Sequence, residues 1–415
     1  MATKLNNNSR AIGLRDVSLF FLFGFFLLKP FYILPSGSFQ VGDLCLGLSF
    51  LFLVASEGAN FRLERRDLLF AAFVGCVCLI NSIYFALTGS SSFLLYSSYY
   101  IFALMGVLLF QSFCRDDKIL LKIVQILRVG LIIQLVVFLL GIGRWMDSTR
   151  YMGTFNDPNQ FGVFIFFAFL FIKCVGILTK SKQSIFDDVL ALILLATTAS
   201  TGMFLGFFVY YFCLFVKTIL AKGDRKTIVR GIVVIAVVIV AAIFVMTHLD
   251  AIYIFLQSNS LGNRVIEKIM KFLFGQEAAG SSDFFTDRAL TKIFYYPECF
   301  IYGSGEGDFS RYASIGSTNE MHSTIIGLFF YYGFIPFSIL SLWVYKNIKN
   351  SFTMGTWIII IPLLVECFTL ANQRQPLFWM LIMLVGVSLI GIKDNPAGNK
   401  RTVLQLKGAS HGIKR

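Results

Sequence analysis

Apolar runs of about the length that crosses a lipid bilayer recur along nearly the whole chain. At 1.5 Å per residue, a helix of about 20 residues spans a hydrocarbon core of roughly 30 Å. Hydrophobic residues make up 57% of the 415 positions and charged ones only 14%, with a mean hydropathy of +0.75. A soluble domain of this size cannot hide that much apolar surface. Inside a bilayer the backbone has only itself to bond to, so the runs predict helices. The expected fold class is all-α, a polytopic membrane protein with about 12 transmembrane helices.

The runs lie near 16–34, 39–56, 67–88, 92–113, 119–142, 160–179, 185–200, 202–219, 229–248, 322–345, 353–371 and 375–392. The stretch from Asp187 to Leu220 is too long for one upright crossing and tight for two. Lys180 and Lys182 precede it, while Lys217, Lys222, Arg225 and Lys226 follow it. Both clusters read as cytoplasmic, so the number of crossings between them is even. Ser200-Thr201-Gly202 is the expected turn.

Lys and Arg gather in alternate loops and in both termini, which places the termini in the cytoplasm. The expected organisation is a cytoplasmic segment 1–15, nine helices in 16–248, a large outer loop 249–321, three helices in 322–392 and a basic tail 393–415. The net charge of +13 then reads as anchoring against anionic lipid, not as nucleic-acid binding. Seven of the eight Cys sit in or beside predicted spans, and Cys299 is alone in the large loop. That excludes a disulfide framework within this loop.

The large loop concentrates the polar chemistry. It holds Asp287-Arg288, the cluster Gly303-Ser304-Gly305-Glu306-Gly307, and Asn319-Glu320-Met321-His322 at the mouth of the next span. Few basic residues are expected on this face: Arg144, Arg150, six in the loop including Arg288, Lys292 and Arg311, and Arg374 between the last spans. An arginine offers a fixed fork of donors that matches phosphate oxygens and stays charged at any working pH. By residue type alone, solvated or salt-bridged loop charges remain the commoner reading. His322 suits a general base, since imidazole accepts a proton near neutral pH; a helix-capping His is the bland alternative. No His or Cys pairs occur at metal spacing, so no metal and no cofactor is expected. Gly303 to Gly307 lacks the surroundings of a nucleotide loop and reads as turn glycines. Lys29 and Asp43, near the outer ends of neighbouring spans, are expected to pair.

Four motifs in order resemble the bacterial O-antigen polymerase and O-antigen ligase superfamily. Arg150-Tyr-Met-Gly-Thr-Phe-Asn-Asp-Pro-Asn-Gln-Phe-Gly162 resembles its Arg…Gly-x-Phe-x-(Asp/Asn)-Pro-Asn segment. Thr201-Gly202-Met203-Phe204-Leu205-Gly206 resembles its short Ser/Thr-Gly element. Arg288 with Tyr302-Gly303-Ser304-Gly305 resembles its Arg…Gly-x-Gly loop, and His322 through Ile335 its His-Asn…Gly-Leu-Ile-Gly signature. The likeness runs from about 150 to 345. It departs at Ser323, where Asn is usual, and at Lys292, where an aromatic is frequent.

The resemblance implies a metal-independent membrane glycosyltransferase of the GT-C type. Its donor would be a glycan on undecaprenyl diphosphate at the outer face of the bacterial cytoplasmic membrane. It implies Arg150 and Arg288 on the diphosphate, His322 as the base, and Arg311, Arg374, Asn156, Asn159 and Glu320 as further substrate contacts. Asn156 and Asn159 are as readily structural, in an Asp-Pro-Asn turn. Membrane lipid and a chain-length regulator protein are the other partners it allows. A polymerase of repeat units is favoured over a ligase to lipid A core, because the motifs depart from the ligase-like forms. A polysaccharide or lipid transporter is the rival of another class. Transporters commonly carry internal repeats and mid-membrane charges, and neither is evident in this sequence.

Overall fold

The computed structural model describes residues 13–34, 39–58, 63–146, 150–222 and 284–387, and the apolar runs within them are helical. Helices α1 (Leu14–Leu28), α2 (Val41–Glu57), α3 (Arg65–Thr88), α4 (Ser92–Phe113) and α5 (Asp117–Leu139) come first. An antiparallel hairpin follows, β1 (Arg144–Met146) with β2 (Arg150–Gly153), and it is the only sheet among the described residues. Then come α6 (Pro158–Leu178), α7 (Ile185–Thr198) and α8 (Thr201–Lys222). Residues 284–321 make three one-turn helices and a 3-10 helix, Phe309–Ile315. They lead to α9 (Thr324–Tyr332), α10 (Phe334–Ile348), α11 (Trp357–Cys367) and α12 (Pro376–Leu384).

Five of these helices, α3, α4, α5, α6 and α8, are long and apolar enough to cross a membrane. The protein is therefore built as an all-α, membrane-embedded bundle. The expected span 229–248, both termini and the first part of the large loop fall outside the described residues. The run 322–345 is not one helix. It breaks at Gly333, whose φ of +74° closes α9 and opens α10. A Cβ there would lie 2.5 Å from the carbonyl oxygen of Ile301, so the loop backbone packs against the break and only glycine fits. Between Asp187 and Leu220 the chain does turn, but at Ala199-Ser200, and the expected turn residues Thr201 and Gly202 open α8. Thr198 ends α7, Ala199 takes φ +50°, and α8 starts at Thr201.

Helix α6 is the centre of the bundle: 89% of its apolar window is buried, against 28% in α3 and α8. It is hydrophobic all round, as a helix enclosed by others must be. It packs on α5, α7, α8 and α12. Across the bundle, Trp343 and Trp379 meet Phe70 and join α10 and α12 to α3. At the α1–α2 connection the expected pair forms: Lys29 Nζ lies 2.7 Å from Asp43 Oδ2, with both side chains buried.

Two helix starts then set the position of the polar face. Asp157 caps α6, accepting from the backbone N–H of Asn159 and Gln160, with Pro158 at the first helical position. Ser323 caps α9 by accepting from the N–H of Ile326. His322 is thereby fixed one residue before a helix start, and Arg150 lies on the strand that leads into the other.

Candidate functional site

Arg150 lies on β2, and its guanidinium is held by hydrogen bonds to neighbouring turns. Its Nε donates to the carbonyl of Thr198 at 3.1 Å, and Nη2 donates to Asn159 Oδ1 at 2.7 Å. Asn159 Oδ1 also accepts from Ser200 Oγ at 3.3 Å. The Asp-Pro-Asn turn therefore caps α6 and orients an arginine, and the turn between α7 and α8 supplies the second anchor. Asn156 is exposed and accepts from Arg144 across the hairpin.

Arg288 is anchored in the same manner on a different turn. Its Nη1 donates to the carbonyl of Thr369 at 2.6 Å, in the loop between α11 and α12. The two anchoring turns touch, since a Cβ on Gly202 would lie 2.7 Å from Thr369 Oγ1. That close approach is what the Thr201-Gly202 element accomplishes. It brings the supports of Arg150 and Arg288 together although 138 residues separate the two arginines in sequence.

His322 joins them through the backbone. Its N–H donates to the Arg288 carbonyl at 3.0 Å, while its half-buried imidazole takes no hydrogen bond from the described residues. Burial holds its pKa below the ordinary imidazole value. The Arg288, Arg374 and Lys292 cations push in the same direction, and Asp157 opposes them. An imidazole so placed is neutral and ready to accept a proton.

The remaining candidates have partners of their own. Arg374 pairs with Glu320 and lies over the rings of Tyr96 and Tyr99, at 5.0 and 5.9 Å. Two residues expected to bind substrate separately thus bind each other. An anion at Arg374 would have to share it with a carboxylate. Arg311 donates from Nη2 to the Gly305 carbonyl at 2.8 Å and sits among Tyr84, Phe93 and Tyr312. That geometry serves the loop more than a ligand.

The chief residue that sequence reading missed is Glu306, which lay hidden in a cluster read as turn glycines. It is fully buried and accepts from Tyr100 Oη at 2.5 Å, Tyr332 Oη at 2.8 Å and Gln373 Nε2 at 3.1 Å. Gln373 Nε2 also reaches Glu320 Oε1 at 3.4 Å, which links the buried carboxylate to the Glu320–Arg374 pair. Burial raises the pKa of Glu306, against its three donors and Arg374, which lower it. An acid between glycines was the available signal. The glycines themselves are turn residues as expected: Gly303 has φ +84°, and a Cβ there would meet the Tyr331 carbonyl at 2.6 Å.

Beneath Thr324, two residues beyond His322, an apolar cleft of about 260 Å³ runs between α9, α10, α11 and α12. Leu328, Phe337, Leu340, Leu363 and Trp379 are among its walls. The segment that bears His322 thus leads directly to an apolar slot. Among the described residues no group of three or more His, Cys, Asp or Glu is gathered at metal-binding geometry. No protein-family model matches the sequence, and no curated protein is similar to it.

Proposed function

We propose that the protein is a membrane glycosyltransferase that polymerises oligosaccharide repeat units carried on a polyprenyl diphosphate, at the outer face of a bacterial cytoplasmic membrane. The observation that supports this reading is that Arg150 and Arg288 are anchored on two turns that approach each other closely, with the His322 N–H bonded to the Arg288 carbonyl. Sugar transfer needs these two kinds of group. As the acceptor hydroxyl attacks the anomeric carbon, the bond from that carbon to the diphosphate oxygen breaks. Charge grows on the departing diphosphate, and preorganised guanidinium groups stabilise it where it develops. The hydroxyl proton passes to His322, whose imidazole is neutral and unencumbered.

The apolar cleft supports the same substrate class. A molecule with a diphosphate head and a long apolar tail needs a cationic surface beside a lipid-facing slot. Thr324 stands at that junction. Arg374 and Glu320 would border the sugar end as a pair, while Asn159 would act by orienting Arg150 and Asn156 by holding Arg144.

Purified protein in liposomes, given only undecaprenyl-diphosphate-linked repeat units, tests the proposal. A ladder of lengthening glycans is the expected result. Product that forms only after lipid A core is added would make the protein a ligase instead. Passage of the lipid-linked unit across the bilayer without any new glycosidic bond would overturn the enzyme reading in favour of a transporter.

A further inference from the structure

Lys292 begins a one-turn helix, Lys292–Tyr295, four residues after Arg288, and none of its side chain is exposed. An ammonium leaves water only at considerable cost, and a Met of similar length would fill the same space without it. Packing alone therefore does not call for a lysine. Among the described residues no carboxylate lies within ion-pair distance of it. Its Nζ instead donates to the carbonyl of Asn319 and faces the rings of Phe309 and Tyr312 at 4.9 and 4.7 Å.

The Asn319 contact completes a pattern. Each residue of the segment that ends in His322 is pinned by a different group. Lys292 holds the Asn319 carbonyl, and Arg374 holds the Glu320 carboxylate. The Met321 N–H donates to Tyr331 Oη at 2.9 Å, and the His322 N–H donates to the Arg288 carbonyl at 3.0 Å. Lys292 and Arg288 belong to one short stretch of chain, so two of the four pins come from the arm that carries the phosphate-binding arginine.

We propose that Lys292 is a positioning residue for His322: its ammonium ties the segment bearing the imidazole to the arm bearing Arg288. The proposal rests on the role of His322 as base. Its charge acts on the imidazole as well, in concert with Arg288 and Arg374 and against Asp157. Lys292 in turn faces Arg311 and Glu320. Burial, aided by Arg311 and opposed by Glu320, brings its pKa down to about 8. The ammonium is thus charged at neutral pH and lost as pH rises through about 8, which gives the tie a basic limit.

The test uses full-length protein in lipid with His248→Gln and His411→Gln, so that His322 is the single histidine. The rate of its carbethoxylation against pH reads the imidazole midpoint whether or not the protein turns over. Lys292→Met is expected to raise that midpoint and to lower kcat by roughly 10–10²-fold with KM little changed. Lys292→Arg is expected to restore both and to move the basic limb of the rate profile upward. Lys292→Gln, a donor without charge, is held to the same midpoint shift should the methionine variant fail to insert. An unchanged midpoint in the neutral variants overturns the proposal. A shifted midpoint in a protein that makes no polymer would sustain the tie while removing the polymerase reading.

Discussion

Arg288 and His322 are joined main chain to main chain, the His322 N–H donating to the Arg288 carbonyl at 3.0 Å. A cation and a proton acceptor are therefore placed together by backbone geometry, independent of either side chain. Replacing one side chain leaves the other where it was. That permits each role to be probed by substitution without moving its neighbour.

Arg288→Ala is expected to insert normally and to lose about 10²–10³ in kcat, the usual cost of removing one preorganised donor to a developing anion. Arg288→Lys should recover little of this. An ammonium is a point charge and lacks the fork that reaches the Thr369 carbonyl and an anion together. Chain-length distributions from proteoliposomes, normalised to folded protein, provide the measurement. Wild-type polymer from the alanine variant would remove Arg288 from the reaction.

The base predicts an acid limb. As the proposed base, His322 would work only as neutral imidazole, and its pKa is held below the ordinary 6.5 by burial and by three cations. Activity should thus be level down to about pH 6.5 and fall only as pH drops through the depressed value. The fold follows the same sign: stability is full above the unfolded pKa and declines as pH falls toward the folded one, because unfolding then takes up a proton. A rate profile with its acid midpoint above 6.5 would contradict this environment. His322→Ala should abolish the limb along with most of the activity.

The sequence made the candidate residues legible but not their alliances. Arg150, Arg288 and His322 stand out because they are rare polar residues between apolar runs, in an order that resembles one family. The Lys29–Asp43 pair and a break between Asp187 and Leu220 could be read from charge and length alone, although the turn falls at Ala199-Ser200, just before the Ser200-Thr201-Gly202 expected. Glu306 could not. Its partners Asn81, Tyr100, Tyr332 and Gln373 come from distant parts of the chain, and only the fold assembles them. The break at Gly333 was hidden for a related reason. Hydropathy registers composition, and the cause of the break is the backbone of Ile301–Gly303 pressed against it. The Glu320–Arg374 pair shows the same limit from the other side, since each residue alone looked available to a ligand.

Gly303 supplies a stability prediction free of the chemistry. Its φ is +84°, and an added Cβ would meet the Tyr331 carbonyl at 2.6 Å, a backbone atom that cannot swing away. Gly303→Ala combines that clash with a left-handed conformation costing about 1–3 kcal/mol. A thermal melt in detergent should show a clear fall in Tm. An unchanged Tm would mean that the loop does not dock on α9 as described.

The Lys29–Asp43 pair predicts asymmetry between single and double changes. Both side chains are buried, and Asp43 also accepts from the Gln40 N–H at 2.8 Å. Lys29→Met alone takes the ammonium from the buried Asp43 carboxylate, and Asp43→Leu alone takes the carboxylate from the buried Lys29 ammonium; either should cost about 3–5 kcal/mol. The double variant removes both charges and should regain most of that loss, because well-packed apolar side chains replace buried pairs at little cost. Catalysis per folded molecule should be unaltered in the double variant, since the pair lies at the α1–α2 connection. Melting temperatures of the four proteins in one detergent decide it. If the double variant is as unstable as the sum of the singles, the pair is not a closed unit, and the charges have other work at the head of α2.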